Sequence, residues 1–165
     1  MLSPVCNTCS SMSERPRAAR RLLRNRHRGL LCTNSLKKAG FPFGSLTPYA
    51  LSEDGSPIFL LSGLAVHTKN LAADPRASLF VTDEQEDSDA LSSARVNVFG
   101  TVERLDGEAA AVAKTAYLAI HAEAAQWVEF GDFFFYRLQP DEVYFVGGFG
   151  DMGWVAAADY AVATA

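Results

Sequence analysis

"PIFLLSGLAVHTKNLAADPRASLFVT", residues 57–82, decides the fold. Its two apolar runs, 57–61 and 77–81, have the length of strands and are too short for buried helices. Between them one short helix is predicted over 66–73: it holds no Gly or Pro, Asp74-Pro75 stops it, and Ser62-Gly63 stand just ahead of it. A helix entered from such a turn aims free backbone N–H groups and its positive dipole end at whatever lies above it. His67, Thr68 and Lys69 add an imidazole, a hydroxyl and an ammonium there, so the stretch predicts an anion site.

Working outward, strands are expected on both sides. Upstream, 42–51 puts Phe43, Ser45, Thr47 and Tyr49 on one face, Glu53-Asp54-Gly55 forms a hairpin turn, and 29–34 reads as an earlier strand. Downstream, the acidic loop 83–89 lacks calcium-ligand spacing. In 94–104, Ala94, Val96, Val98, Gly100 and Val102 alternate with polar or larger residues; the glycine marks a bulge or a close ligand. A long helix is expected over 106–125, with an inner stripe of Ala109, Val112, Ala116, Ala119 and Ile120 and a packed or surface His121 beside it. Two last strands, 133–138 and 142–147, are joined by Gln139-Pro140-Asp141 and lead into Gly147-Gly148-Phe149-Gly150. Many short strands with one long helix point to a mainly β fold, a small antiparallel barrel whose openings are covered by helices.

A chain of 165 residues with 48% hydrophobic and 21% charged residues forms one domain with a real core, expected over 14–165 behind a disordered tail over 1–13. No apolar run approaches the roughly 20 residues of a membrane span, and 1–13 has no charged start followed by an apolar block; a cytoplasmic protein without membrane contact is expected. The net charge of -4 is unevenly spread, because Arg15, Arg17, Arg20, Arg21, Arg24, Arg26 and Arg28 crowd one segment. Ala18, Ala19, Leu22 and Leu23 have the spacing of a face packed on a sheet, so a partly solvated helix over 16–25 is expected, not a nucleic-acid interface. Cys6 and Cys9 have C-x-x-C spacing but lie in a Ser-rich stretch without further ligands, which argues against a redox pair or a zinc site; no metal site is expected. Cys32 reads as an inert core thiol.

"PFGSLTPYAL" (42–51), "LSGLAVHTKNLAADPRASL" (61–79), "NVFGTVERL" (97–105) and "FGDFFFYRLQPDEVYFVGGFG" (130–150) together resemble the pyridoxamine-5'-phosphate-oxidase-like FMN-binding split barrels, and within them the haem-utilisation branch. The resemblance runs over about 16–154. It implies a six-stranded split barrel with flanking helices, a homodimer, and FMN in the groove between subunits, with haem as the alternative ligand. Residue by residue, it places Ser45 beside the isoalloxazine, Ser62 as the hydroxyl at the end of the third strand, and His67, Thr68 and Lys69 on the flavin phosphate. The vitamin-forming oxidases carry arginines where this chain has Val66 and His67, so pyridoxamine-phosphate oxidation is not implied; haem-handling relatives usually carry a further C-terminal domain. What the resemblance leaves as the expectation is an FMN-dependent oxidoreductase acting on a small molecule, with the chemistry carried by the flavin and no catalytic side chain assigned. The alternative is a non-catalytic dimeric module that binds flavin or haem.

Two expectations concern the dimer. Phe133, Phe135, Tyr144 and Phe145 are expected to help cover an apolar face at a two-fold contact. Gly148 is expected to let the backbone approach a ligand, with Phe149 or Trp154 reaching across the dimer to stack on it.

Overall fold

The computed structural model describes residues 8–83 and 89–164. Its elements are α1 (Thr8–Asn25), β1 (Arg28–Asn34), β2 (Pro42–Pro48), β3 (Ala50–Leu51), β4 (Pro57–Ser62), α2 (Val66–Ala73), β5 (Arg76–Thr82), β6 (Arg95–Arg104), α3 (Gly107–Ile120), a short 3-10 turn (Ala122–Gln126), β7 (Phe133–Gly148), β8 (Asp151–Ala156) and α4 (Ala157–Val162). The strands form one antiparallel sheet in the order β2-β1-β5-β6-β7-β4-β3, with β8 pairing β7. The sheet curls until β2 and β4 approach each other without ladder bonds between them, which is the split of the barrel. The six strands that correspond to the expected barrel are β1, β2, β4, β5, β6 and β7; β3 is a two-residue addition beside β4 and β8 a further strand paired to β7.

The alternation of β6 sets the inside: Val96, Val98 and Val102 are buried with Leu31, Leu79, Val81, Leu138 and Val143. Ala19, Leu22 and Leu23 of α1 close one end of this core. β4 is buried on both faces, because Phe59 and Leu61 point inward while Ile58 and Leu60 meet Ala113 and Tyr117 of α3. That is why 57–61 reads as an uninterrupted apolar run.

Several boundaries differ from expectation. The strand predicted over 42–51 breaks after Pro48: Tyr49 leaves the β1 ladder, donates its N–H to the His27 carbonyl and its hydroxyl to the Leu23 carbonyl at 2.8 Å, and redirects the chain toward β4. The two strands predicted over 133–147 are one strand, β7, which pairs β6 along its length and is flanked on its other side by β4 and then β8. Pro140 is accommodated because the register slips between Phe99 and Gly100, leaving Asp141 extra at a bulge. A Cβ at Gly100 would collide with the Gln139 carbonyl oxygen, so the glycine serves the bulge rather than a ligand. The helix predicted to begin at Pro16 starts at Thr8, so residues 8–13, expected in the tail, are helical; Pro is most at home in a first turn, which is why the sequence points there. Cys6 lies outside the described residues.

The long helix ends at Ile120, where His121 turns its Nε2 to the Tyr49 carbonyl at 2.9 Å. Its inner face also differs: Ala113 and Tyr117 are buried, whereas Val112 is 65% and Ile120 45% exposed. The Tyr117 ring packs on Phe135 and His121, and burying that large ring outweighs burying the small residues of the expected stripe. Cys32 is not in the core; it is half-buried on the outer face of β1, between Gly44 and Ser78, and burial raises its thiol above the usual range.

Candidate functional site

The split of the barrel gathers the predicted anion-binding residues. β2 is an edge strand, β4 ends at Ser62, and α2 crosses back over β1 and β2. Asn70 fastens α2 down: its Nδ2 donates to Thr33 Oγ1 at 3.0 Å, and its Oδ1 accepts the Leu36 N–H at 2.9 Å. Sequence reading missed Asn70, because its role depends on β1 lying beneath it.

The start of α2 is uncapped. Ala65 occupies the N-cap position with extended backbone and no side-chain acceptor, so no N-cap side chain satisfies the first-turn N–H groups. His67 sits over β2 with Nδ1 3.2 Å from Ser45 Oγ. Burial disfavours its charged form and lowers its pKa from the ordinary value. Thr68 is 7% exposed, and its Oγ1 is buried with no hydrogen-bond partner among the described residues. Lys69 is exposed on the same turn. An orphaned hydroxyl, free N–H donors, an imidazole and an ammonium make a donor-rich set suited to a phosphate.

Ser62 does not join this set. Its hydroxyl donates to Asp132 Oδ2 at 2.6 Å and accepts the Leu64 N–H at 3.1 Å, so its only proton is engaged and a carboxylate stands beside it. The turn signal Ser62-Gly63 was legible; the partner 70 residues away was not.

The remaining predicted residues lie at the far side of the sheet. Gly148, at φ +136°, turns β7 into β8; Phe149 at the tip is 96% exposed; and Trp154 on β8 is 59% exposed. Trp154 heads a cross-strand row on the outer face, running through Tyr144, Asn97, Phe80, Leu30 and Leu46. With strands about 4.8 Å apart, Trp154 is about 24 Å along the sheet from β2. Within one chain it does not meet the Ser45–His67 cluster. The outer face also carries exposed Leu46 (72%) and Met152 (49%), whereas Phe135 and Phe145, expected to cover a dimer face, are buried inside the chain. Of the four residues expected there, Tyr144 does lie in the outer row, whereas Phe145 is taken by the barrel core and Phe135, with half-buried Phe133 beside it, packs against α3.

Among the described residues there is no group of three or more metal-ligating side chains, and no helix is long and apolar enough to cross a membrane.

A family profile described as CREG, beta-barrel matches residues 10–162. The chloroplastic heme oxygenase HOZ of Arabidopsis thaliana is 42% identical over 120 residues, which is 73% of this chain and 36% of that protein. The heme oxygenase HutZ of Vibrio cholerae is 27% identical over 130 residues, 73% of this chain and 70% of that protein. A solved heme binding protein from Mycobacterium smegmatis superposes with a TM-score of 0.83 at 33% identity, covering 100% of this chain and 63% of that one. The chain thus spans about a third of the length of HOZ and less than two thirds of the mycobacterial protein.

Proposed function

The chain belongs to the CREG beta-barrel family of split barrels, and from that premise we propose that it is an FMN-binding oxidoreductase acting on a small molecule as a homodimer. The observation that carries the reading is the orphaned Thr68 hydroxyl at an uncapped helix start, because a buried hydroxyl without a partner is costly unless a ligand completes it. A flavin phosphate fits that donor set: first-turn N–H groups and Thr68 below it, His67 and Lys69 beside it, and Ser45 orienting His67. Ser62 is left out of the proposed set. When bound, FMN supplies hydride and single-electron transfer, and the protein supplies position and electrostatics. Two copies meeting through the apolar outer face are proposed to bring Trp154 or Phe149 of one protomer toward the other's split, where an aromatic ring can stack on a flavin. A reducing, cytoplasmic setting is proposed with it, in keeping with the free thiol of Cys32.

The second reading is haem binding, favoured by what HOZ, HutZ and the mycobacterial relative are named for. Haem also carries anionic groups, its propionates, which the same donors can hold. Titrating the purified protein with FMN, riboflavin and haemin separates the two. FMN is expected to bind more tightly than riboflavin, and Lys69→Ala to weaken FMN alone by about tenfold, the loss of one charge-assisted bond or about 1.4 kcal/mol. Equal FMN affinity in wild type and Lys69→Ala removes the phosphate assignment. A Soret band with haemin and no flavin binding replaces FMN with haem.

A further inference from the structure

A second recess lies on the opposite flank, between α1 and α3, outside the site above. Its floor is β3 with Tyr49, its walls are Leu23 and Arg24 of α1 and Ala116 and Ile120 of α3, and it encloses about 360 Å³. That volume is within the range of cavities that accept large side chains or small ligands. Because α3 turns Ala113 and Tyr117 inward, Ala116 and Ile120, one turn apart, are left to line the recess, and Ile120 remains exposed.

Of the α1 arginines Arg24 lines the recess, together with Glu53 of the β3 side, and Arg21 lines a separate recess. Arg15 pairs with Asp151, Arg26 with Asp83, and Arg20 is buried on backbone carbonyls. Arg17, Arg21 and Arg24 are instead exposed at spacings of four and three residues, with no ion pair among the described residues. Like charges at that spacing repel within a helix, and a chain of net charge -4 has carboxylates enough to pair them. The stripe is short, about 10 Å from Arg17 to Arg24 at 1.5 Å per residue. Carboxylates bound it: Glu14 precedes it, Glu53 lies on the β3 side, and Asp83 and Asp151 stand beyond Arg21. An extended polyanion such as RNA would run from the arginines onto these acids, whereas a compact acidic face ends where the stripe ends.

We propose that this groove docks an amphipathic acidic helix of a partner protein. Its apolar side chains seat against Leu23, Ala116 and Ile120, and its carboxylates meet Arg24 and Arg17. An apolar recess beside an arginine rim has the composition of a protein interface, and an apolar stripe laid into a groove is a recurring mode of helix recognition.

The test uses a fluorescein-labelled peptide with leucines at i, i+4 and i+7 and glutamates on the flanking face, beside the same peptide with lysines for the glutamates. Fluorescence anisotropy on the whole chain is expected to show the acidic peptide binding about tenfold or more tightly than its lysine counterpart, and less tightly as salt is raised. Arg24→Glu, which reverses the rim charge, and Ala116→Trp, which fills the recess, should each weaken it by about tenfold or more while FMN affinity and the melting temperature stay unchanged. Equal binding of the two peptides overturns the proposal. So does wild-type peptide affinity in either variant with an unchanged melting temperature, or tighter binding of a single-stranded RNA oligonucleotide than of the acidic peptide.

Discussion

Gly100, Arg20 and His67 each show a single residue whose neighbours decide its meaning. At Gly100 any side chain meets the Gln139 carbonyl, so Gly100→Ala is expected to cost about 1–3 kcal/mol by forcing the bulge apart, read as a lower midpoint in urea. An unchanged midpoint would mean that the bulge relaxes freely. Arg20 is 3% exposed and donates to the carbonyls of Glu53, Asp54, Tyr160 and Ala161, tying α4 and the 52–56 turn to α1. Tyr160 completes that tie by donating its hydroxyl to the Gly55 carbonyl at 2.7 Å, and Tyr160→Phe is expected to lose about 1–2 kcal/mol in the same measurement. At His67, burial disfavours the imidazolium, so the folded protein takes up this proton at lower pH than the unfolded chain does. The contribution to stability is therefore nil above the ordinary histidine range and turns unfavourable as pH falls through about 6.5. A bound phosphate reverses the preference by favouring the imidazolium. FMN affinity is accordingly expected to rise from pH 8 to pH 6.5 in the wild type and to stay flat in His67→Gln; identical profiles would separate His67 from the phosphate.

Elements follow their local sequence where burial is simple and depart from it where two partners compete. β5 and α2 match the predicted spans because Asp74-Pro75 and Ser62-Gly63 stop and start the chain whatever lies around them. α3 departs, since which stripe faces inward depends on where the Tyr117 ring finds Phe135. The uncapped start of α2 gives a test at this scale. Ala65→Asp supplies the missing cap, and is expected to stabilise the fold by about 0.5–2 kcal/mol while placing a carboxylate where the phosphate is proposed to sit. Higher stability together with lost FMN binding is the expected pair of results in thermal melts and flavin titration. Retained FMN affinity would place the phosphate elsewhere.

The whole molecule is a curled sheet with one face turned into the core, and its outer face carries exposed apolar side chains from Leu46 on β2 to Trp154 on β8, with Asn97 between them. Exposed apolar side chains grouped on one face suit a partner surface, and a two-fold contact is self-complementary. Leu46→Glu, at a position 72% exposed in the single chain, is expected to leave folding intact and give a monomer by light scattering. If the flavin lies between protomers, its binding should fall with the dimer. A Leu46→Glu protein that remains dimeric would move the contact to another face.

The barrel itself was legible in the sequence, because alternation in 94–104, the two-sided apolar run 57–61 and the turns at Glu53-Asp54-Gly55 and Asp74-Pro75 are local properties of the chain. So was the donor-rich turn at His67, Thr68 and Lys69, since hydroxyl, imidazole and ammonium groups at a helix start have one chemical bias wherever they occur. The tertiary structure alone decided which of those groups are free. Ser62 is engaged by Asp132, Thr68 is buried without a partner among the described residues, His67 is held over Ser45, and Trp154 lies five strand steps along the sheet from Ser45 on β2. It also decided that the strands on either side of Pro140 are one, that Phe145 faces into the barrel, and that Phe135 is covered from outside by α3. Each of these turns on a neighbour brought close by the curl of the sheet, and periodicity along the chain carries no record of which strand a residue will meet.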